Sequence, residues 1–203
     1  MSGRLILLGG VAVLLFAWAG PLPRLVPGSF AAHMWLHMTV VGIAVPLIAA
    51  GLAPRLRGSG SLAWPIAISL LDFVVVWGWH VPALHHASRS EPLMLALEQL
   101  SFFGISLLVW LTALAAPARL ESAMAGAMTL FFTSMHMTLL GALLALAPRP
   151  IYPHHHAAGW LELTPLADQQ LGGVVMLAIG GVVYLAGGLV LMGRVLRQRL
   201  PRP

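Results

Sequence analysis

The chain has 203 residues, of which 59% are hydrophobic and only 8% are charged, and its mean hydropathy is +0.90. These values exclude an ordinary soluble protein and predict one membrane-embedded, all-α domain over residues 1–203. The formal charge of +5 comes from eleven arginines against six acids, and in such a chain this excess marks cytoplasmic helix ends, so we expect no nucleic-acid partner.

Six apolar runs are long enough to cross a bilayer core about 30 Å thick as helices. Short connections containing Pro or Gly separate them. We therefore predict a polytopic bundle of six transmembrane helices, or five if the first run, which ends in "LLFAWAG", is a cleaved signal sequence. The runs cover residues 5–20, 34–51, 63–79, 93–115, 123–147 and 171–192.

The arginines predict the orientation, because positive charge in short loops collects on the cytoplasmic side. Eight lie on one predicted side and three on the other, which places both termini in the cytoplasm. All nine histidines then lie outside or in the outer half of the bilayer, with His85 and His86 in the outer loop that follows the third run. The eight are Arg4, Arg55, Arg57, Arg119, Arg194, Arg197, Arg199 and Arg202, and the three are Arg24, Arg89 and Arg149.

The stretch "AAHMWLHM", residues 31–38, leads into the second run, and in it His33 and His37 are four residues apart. On a helix both imidazoles lie on one face, close enough to share a metal ion. Met34 and Met38 form a second pair rotated by about 100°. The histidines could equally hydrogen-bond lipid headgroups or the backbone, and the methionines could be core packing. The chain has no cysteine, so a metal would need imidazole, thioether or carboxylate ligands.

The third run ends in "VWGWHVP", which places His80 at the water boundary beside two tryptophans of an aromatic belt. The fourth run returns from the same side and carries Glu98 one to two turns below its start. A carboxylate at that depth needs a partner, which His80, a cation or Gln99 could supply. Asp72, in the middle of the third run, raises the same question and stays unassigned.

The fifth run contains "MHM", which sets His136 between Met135 and Met137 inside the membrane. An ionisable group at that depth suggests function, and imidazole with thioethers suits Cu(I). The alternative is a histidine bonded to a neighbouring helix. The tract His154–His156 lies in the following outer loop, where consecutive side chains diverge. We expect that tract to gather metal rather than to hold it.

The stretch "LTPLADQQLGGVVM", residues 163–176, leads into the last run. Thr164 or Asp168 can cap the helix, and Gly172 and Gly173 allow another helix to approach closely. Met176 lies two turns beyond Asp168 on a similar face. A cap with packing glycines does not explain Gln169 beside it at the edge of the bilayer.

Taken in order, the HxxxH start of the second helix, "WHVP", the helix-four glutamate and "LADQQLGGVVM" resemble the polytopic CtaG-type family of cytochrome c oxidase assembly proteins. The resemblance covers residues 31–190, although Gln99 and Leu177 stand where the family tends to have His and an aromatic residue. It implies a membrane protein that serves haem-copper oxidase maturation and a role in copper supply. The residues that it implicates are His33, His37, His80, Glu98, Asp168, Gln169 and Met176.

We therefore expect a non-enzymatic copper-handling assembly factor in the bacterial inner membrane, with Cu(I) as the favoured ion. Its partners would be the lipid bilayer, haem-copper oxidase subunits and a periplasmic copper carrier. A membrane b-type cytochrome with paired histidines on haem and a small metal permease are the alternatives. The candidate ligands are His33, His37, His80, Glu98, His136, Asp168, Met176, Met34, Met137 and Gln169.

Overall fold

The structure is a computed structural model that describes residues 2–56, 63–115, 120–152 and 163–199. Within these ranges the chain is almost entirely helical and contains no strand, which confirms the predicted all-α bundle. The predictions made for Arg57, Arg119, Arg202 and the tract His154–His156 lie outside the described residues.

Nine α-helical segments are present in the described ranges. Five helices, one of them interrupted by a π-helical turn, are long and apolar enough to span a membrane, and the bent pair α5–α6 would make a sixth span. The chain is a multi-pass membrane protein. The segments are α1 Gly3–Ala19, α2 Leu22–Leu25, α3 Phe30–Thr39, α4 Val45–Leu52, α5 Ala63–Trp79, α6 Pro82–Ser90, α7 Pro92–Leu114, α8 Leu120–Ala145 and α9 Pro165–Arg199.

The second predicted span is made of α3 and α4, joined by a π-helical turn over Val40–Ala44. Pro46, two residues after this turn, has no N–H to donate to residue 42, so the regular hydrogen-bond ladder cannot run through this point. A π turn absorbs such a break within a continuous helix, and π turns often occur at functional sites. Both histidines of "AAHMWLHM" lie on α3, before this turn.

The connection after the third span is itself helical, which the sequence interpretation did not anticipate. Helix α5 ends at Trp79, and α6 leaves it at an angle of 69°. Val81 precedes Pro82 and is extended, as a residue before proline is expected to be. The segment read as a loop is therefore a short helix, and its buried face includes His85 and Ser88.

Helices α8 and α9 approach closely where α9 begins, as the glycine pair predicted. A Cβ atom on Gly173 would lie 2.7 Å from the carbonyl oxygen of Gly141, and one on Gly141 would lie 3.1 Å from that of Gly173. These glycines permit direct backbone contact. The close approach fixes the start of α9, which lies beside the start of α3.

Candidate metal centre

Four histidines lie together at one end of the bundle and are buried. His33 and His37 come from α3, His80 follows α5, and His85 lies on α6. The ring centroids of His33 and His37 are 6.4 Å apart, those of His33 and His85 5.2 Å, and those of His37 and His80 6.0 Å. The four residues form what we call the histidine cluster.

Glu98, in the second turn of α7, lies against this cluster. One potential ligand atom each from His33, His85 and Glu98 falls within 4.8 Å of the others, and all three side chains are buried. The Nε2 atom of His33 is 3.6 Å from Oε1 of Glu98. Two imidazoles and a carboxylate at this spacing could supply part of the coordination sphere of a metal ion.

A protein cation is already present in this part of the site. The Nη2 atom of Arg89 lies 2.6 Å from Oε2 of Glu98, and Nη1 lies against Nδ1 of His33. The hydroxyl of Ser88 donates to Oε1 of Glu98 over 3.2 Å. The negative charge of Glu98 is therefore balanced by Arg89, as a buried carboxylate requires.

Hydrogen bonds define which nitrogen of two rings carries a proton. A guanidinium only donates, so Nδ1 of His33 accepts from Arg89 and is unprotonated. Nδ1 of His80 lies 2.7 Å from the carbonyl oxygen of Val76, which only accepts, so this nitrogen carries the proton. In the neutral ring Nε2 of His80 then has a lone pair, and this buried atom has no hydrogen-bond partner among the described residues.

His37 has the least satisfied polar side chain of the cluster. The residue is 0% exposed, and neither ring nitrogen has a hydrogen-bond partner among the described residues. Its ring packs against Phe102 with a centroid distance of 4.1 Å. Buried polar groups without a partner are uncommon and call for a specific explanation, such as a ligand. His37 and His80 together offer two ring nitrogens to a metal ion.

Aromatic residues close the site from the direction of α9. The ring of Phe30 stacks on Tyr152 at 4.9 Å, and Tyr152 also contacts His85 at 4.3 Å. The phenol of Tyr152 donates to the carbonyl oxygen of His80 over 2.7 Å. Burial raises the pKa of Tyr152, so the phenol keeps the proton that it donates. The tyrosine thereby ties the segment after α8 to the turn that holds His80.

A family model described as cytochrome c oxidase caa3 assembly factor, Caa3_CtaG, matches residues 3–198 of the chain. The chain belongs to this family. The match covers nearly the whole sequence and confirms the resemblance drawn from the motifs of α3, α5, α7 and α9. No curated protein and no solved structure matches the chain significantly.

In this caa3 assembly-factor chain Asp168 joins two helix starts. Its Oδ1 atom accepts from the hydroxyl of Ser29 over 2.7 Å and from the backbone N–H of Ala31 over 3.2 Å, and Oδ2 accepts from the N–H of Phe30 over 2.5 Å. Both carboxylate oxygens therefore serve the first turn of α3, where N–H groups lack helical partners. The resemblance implicates Asp168 as a metal ligand, but a metal ion would have to compete with these hydrogen bonds for the carboxylate oxygens.

His136 is paired with the acid that the sequence left unassigned. Nε2 of His136 lies 3.0 Å from Oδ2 of Asp72, and the hydroxyl of Thr133 donates to the same oxygen over 2.8 Å. Asp72 precedes His80 by eight residues on α5, about 12 Å along the helix at 1.5 Å per residue. The pair thus forms a separate polar group, deeper in the bundle than the histidine cluster.

The remaining candidate ligands of the assembly-factor chain lie along α9 or elsewhere in the core. Gln169 accepts from the N–H of Ile151 over 2.7 Å and donates to the carbonyl oxygen of Leu144 over 3.3 Å, which locks the segment after α8 onto α9. Met34 lies beside Gly172 of α9. The two hydrogen bonds of Gln169 therefore have a structural role. Met137 and Met176 are also buried.

The sequence interpretation missed two residues of the site, His85 and Arg89. His85 was assigned to an outer loop and Arg89 was counted only for orientation. Their spacing of four residues in "HHASR" places both on one face of a helix, and Ser88 completes that face. This spacing is the sequence feature from which a helix with both residues on one face could have been predicted.

Proposed function

We propose that the chain binds Cu(I) in the histidine cluster and passes it to a subunit of a haem-copper oxidase during assembly. The observation that carries the proposal is the pair His37 and His80: both ring nitrogens of His37 and Nε2 of His80 are buried and lack hydrogen-bond partners in the described part of the chain. His33, His85 and Glu98 extend the same cluster. Membership of an oxidase assembly family supports an oxidase subunit as the recipient of the copper ion.

The charge of the site favours a monovalent ion. Glu98 and Arg89 already cancel, so any added ion brings uncompensated charge into a buried region. The Born cost of burying an ion scales with the square of its charge, so it is about fourfold larger for a divalent ion. Neutral imidazoles bind Cu(I) well, and the chain has no thiolate to offer instead.

The packing of the cluster supports this proposal over the two alternatives. The rings of His37, Phe102 and His80 lie directly against one another, with centroids 4.1 to 6.2 Å apart, which leaves little space for a porphyrin between them. A permease would need polar groups along the whole path. Asp72 and His136 provide one such group, but each already bonds the other. We therefore propose a non-enzymatic carrier that binds and releases copper on one side of the membrane.

We further propose that the histidine end faces the periplasm of a bacterial inner membrane, with both termini in the cytoplasm. The asymmetry of the arginines supports this orientation. A periplasmic copper carrier would then deliver the ion, and the oxidase subunit would receive it on the same side. This arrangement keeps Cu(I) out of the cytoplasm during transfer.

Cysteine labelling tests the orientation directly, because the chain has no native cysteine. We expect Ser90→Cys, at the histidine end, to react with an impermeant maleimide in intact spheroplasts. Leu56→Cys, at the other end of the bundle, should react only after the membrane is opened. Both positions are exposed, so accessibility within the protein is matched. The reverse labelling pattern would place the histidine cluster on the cytoplasmic side and contradict the proposed route.

Competition in detergent tests the metal. Under reducing conditions we expect the purified chain to bind Cu(I) more tightly than Zn(II), for the electrostatic reason given above. A chromogenic Cu(I) chelator and a Zn(II) chelator of known affinity measure the two dissociation constants. Tighter binding of Zn(II), or a haem absorption band in the protein as purified, would contradict the proposal.

A further inference from the structure

Arg89 occupies the groups that a bound cation would need. Its guanidinium donates to Nδ1 of His33, the unprotonated ring nitrogen of that residue, and to Oε2 of Glu98. The other oxygen of Glu98 accepts from Ser88. A metal ion cannot coordinate His33 through Nδ1 or Glu98 through Oε2 while the guanidinium is in place.

We propose that Arg89 is a tethered competitor of the cargo ion: it fills the His33–Glu98 half of the site in the metal-free protein and withdraws when a monovalent metal ion binds there. The inference rests on the proposed function and names the residue that regulates it. His37 and His80 would contact the ion first, because the ring nitrogens of His37 and Nε2 of His80 have no competing partner among the described residues. The His33–Glu98 half would follow once Arg89 leaves.

The charge balance favours exchange over joint occupation. With Arg89 in place, Glu98 and the guanidinium sum to zero. If a monovalent ion replaces the guanidinium the sum is again zero, whereas an ion added beside Arg89 would leave one uncompensated positive charge in a buried region. Exchange also provides a route for release, because the returning guanidinium displaces the ion from Glu98.

The position of Arg89 allows this movement without displacing a transmembrane helix. Arg89 is the penultimate residue of the short helix α6, and Ser90 and Glu91, which follow it, are exposed. A change of side-chain rotamers at the end of α6 can therefore carry the guanidinium towards water. Its Nε atom has no hydrogen-bond partner among the described residues, so the group is held only at its tip.

Chemical labelling of the unmodified chain tests the movement. Phenylglyoxal modifies exposed guanidinium groups, and peptide mass spectrometry resolves the rate at each arginine. The side chain of Arg89 is 7% exposed and should react slowly in the metal-free protein in detergent. Addition of Ag(I), a redox-inert probe for a Cu(I) site, should accelerate its modification several-fold. Arg55, which bonds the carbonyl oxygen of Gly51 at the other end of the bundle, should react at the same rate in both states.

Affinity measurements test the competition. We expect Arg89→Gln to bind Ag(I) and Cu(I) about tenfold more tightly or better, because the variant removes the competing ion pair and leaves Glu98 in need of a cation. The matched variant Arg55→Gln should bind as the wild type does. Unchanged or weaker binding by Arg89→Gln, or protection of Arg89 from phenylglyoxal by Ag(I), would overturn the proposal. If Arg89→Gln does not fold, the labelling of the wild type decides alone. A wild type that binds neither ion would instead overturn the proposed function and this proposal with it.

Discussion

Replacement of His37 by Leu should weaken Cu(I) binding by about 100-fold or more, since even groups that only support a metal ligand typically contribute 10- to 100-fold. The same change should leave the melting temperature of the metal-free protein unchanged or raise it. Neither ring nitrogen of His37 has a hydrogen-bond partner among the described residues, so leucine removes unsatisfied polar atoms and breaks no described bond. Isothermal titration with a Cu(I) chelate and thermal unfolding in detergent measure the two effects.

His136 is the matched control because it is also a histidine inside a helical span. His136→Leu breaks the hydrogen bond to Asp72, so we expect it to destabilise the metal-free protein by about 1–3 kcal/mol. Its affinity for Cu(I) should not change, because the pair with Asp72 lies apart from the histidine cluster. Lost binding in His136→Leu with normal stability would indicate that the "MHM" motif holds the metal and that His37 is a packing residue.

At His37 the same substitution is expected to weaken Cu(I) binding and to leave the protein as stable or more stable. These opposite effects reflect a general conflict between function and stability. A metal ligand must keep a lone pair free of other partners, and in a buried site that free lone pair costs stability until the ion arrives. In His80 the Nδ1–H group donates to the carbonyl oxygen of Val76, so only Nε2 is buried without a hydrogen-bond partner among the described residues. In His33, Nδ1 accepts a hydrogen bond from Arg89, and Nε2 is the buried atom that has no hydrogen-bond partner among the described residues.

Hydropathy predicted the spans well where the whole helix is apolar. The third run, 63–79, coincides with α5, but the sixth run, 171–192, is much shorter than α9, which covers Pro165–Arg199. The reason is that polar residues begin and end α9, and a hydropathy window excludes them. Helix α6 was missed for the same reason, since "HHASRS" is polar and follows a proline. The spacing of four residues between His85 and Arg89 is the only feature of this segment that indicates a helix.

The composition of the site was less predictable than its location. The i,i+4 pair His33 and His37 follows from helical geometry alone, and its position at one end of the bundle follows from the order of the spans. The contact of Arg89 with Glu98 depends on how α6 folds back over α7, which no local pattern specifies. The role of Asp168 depends on a contact with Ser29, 139 residues away in sequence. Such contacts are tertiary, and a single sequence does not show which distant residues will meet.

Asp168→Ala should be among the most destabilising single substitutions in the chain, with a loss of about 3 kcal/mol or more in the free energy of unfolding. The carboxylate accepts three hydrogen bonds, two of them from the N–H groups of Phe30 and Ala31. Hydrogen bonds to a charged group contribute about 1.5–3 kcal/mol each, and the freed N–H groups would stay buried without an acceptor. Unfolding by denaturant in detergent micelles measures the change.

The control for Asp168 is Glu91→Ala, because Glu91 is also an acidic residue at a helix start but is exposed and makes no side-chain capping bond. We expect that variant to change the unfolding free energy by less than about 0.5 kcal/mol, as surface substitutions usually do. Asp168→Asn keeps one carbonyl oxygen as an acceptor and should fall between the two. In each folded variant the affinity for Cu(I) should stay within about tenfold of the wild type, less than the loss of a direct ligand would cause. A large loss of affinity in Asp168→Asn with little loss of stability would instead make Asp168 a copper ligand. The start of α3 would then have to release the carboxylate when copper binds.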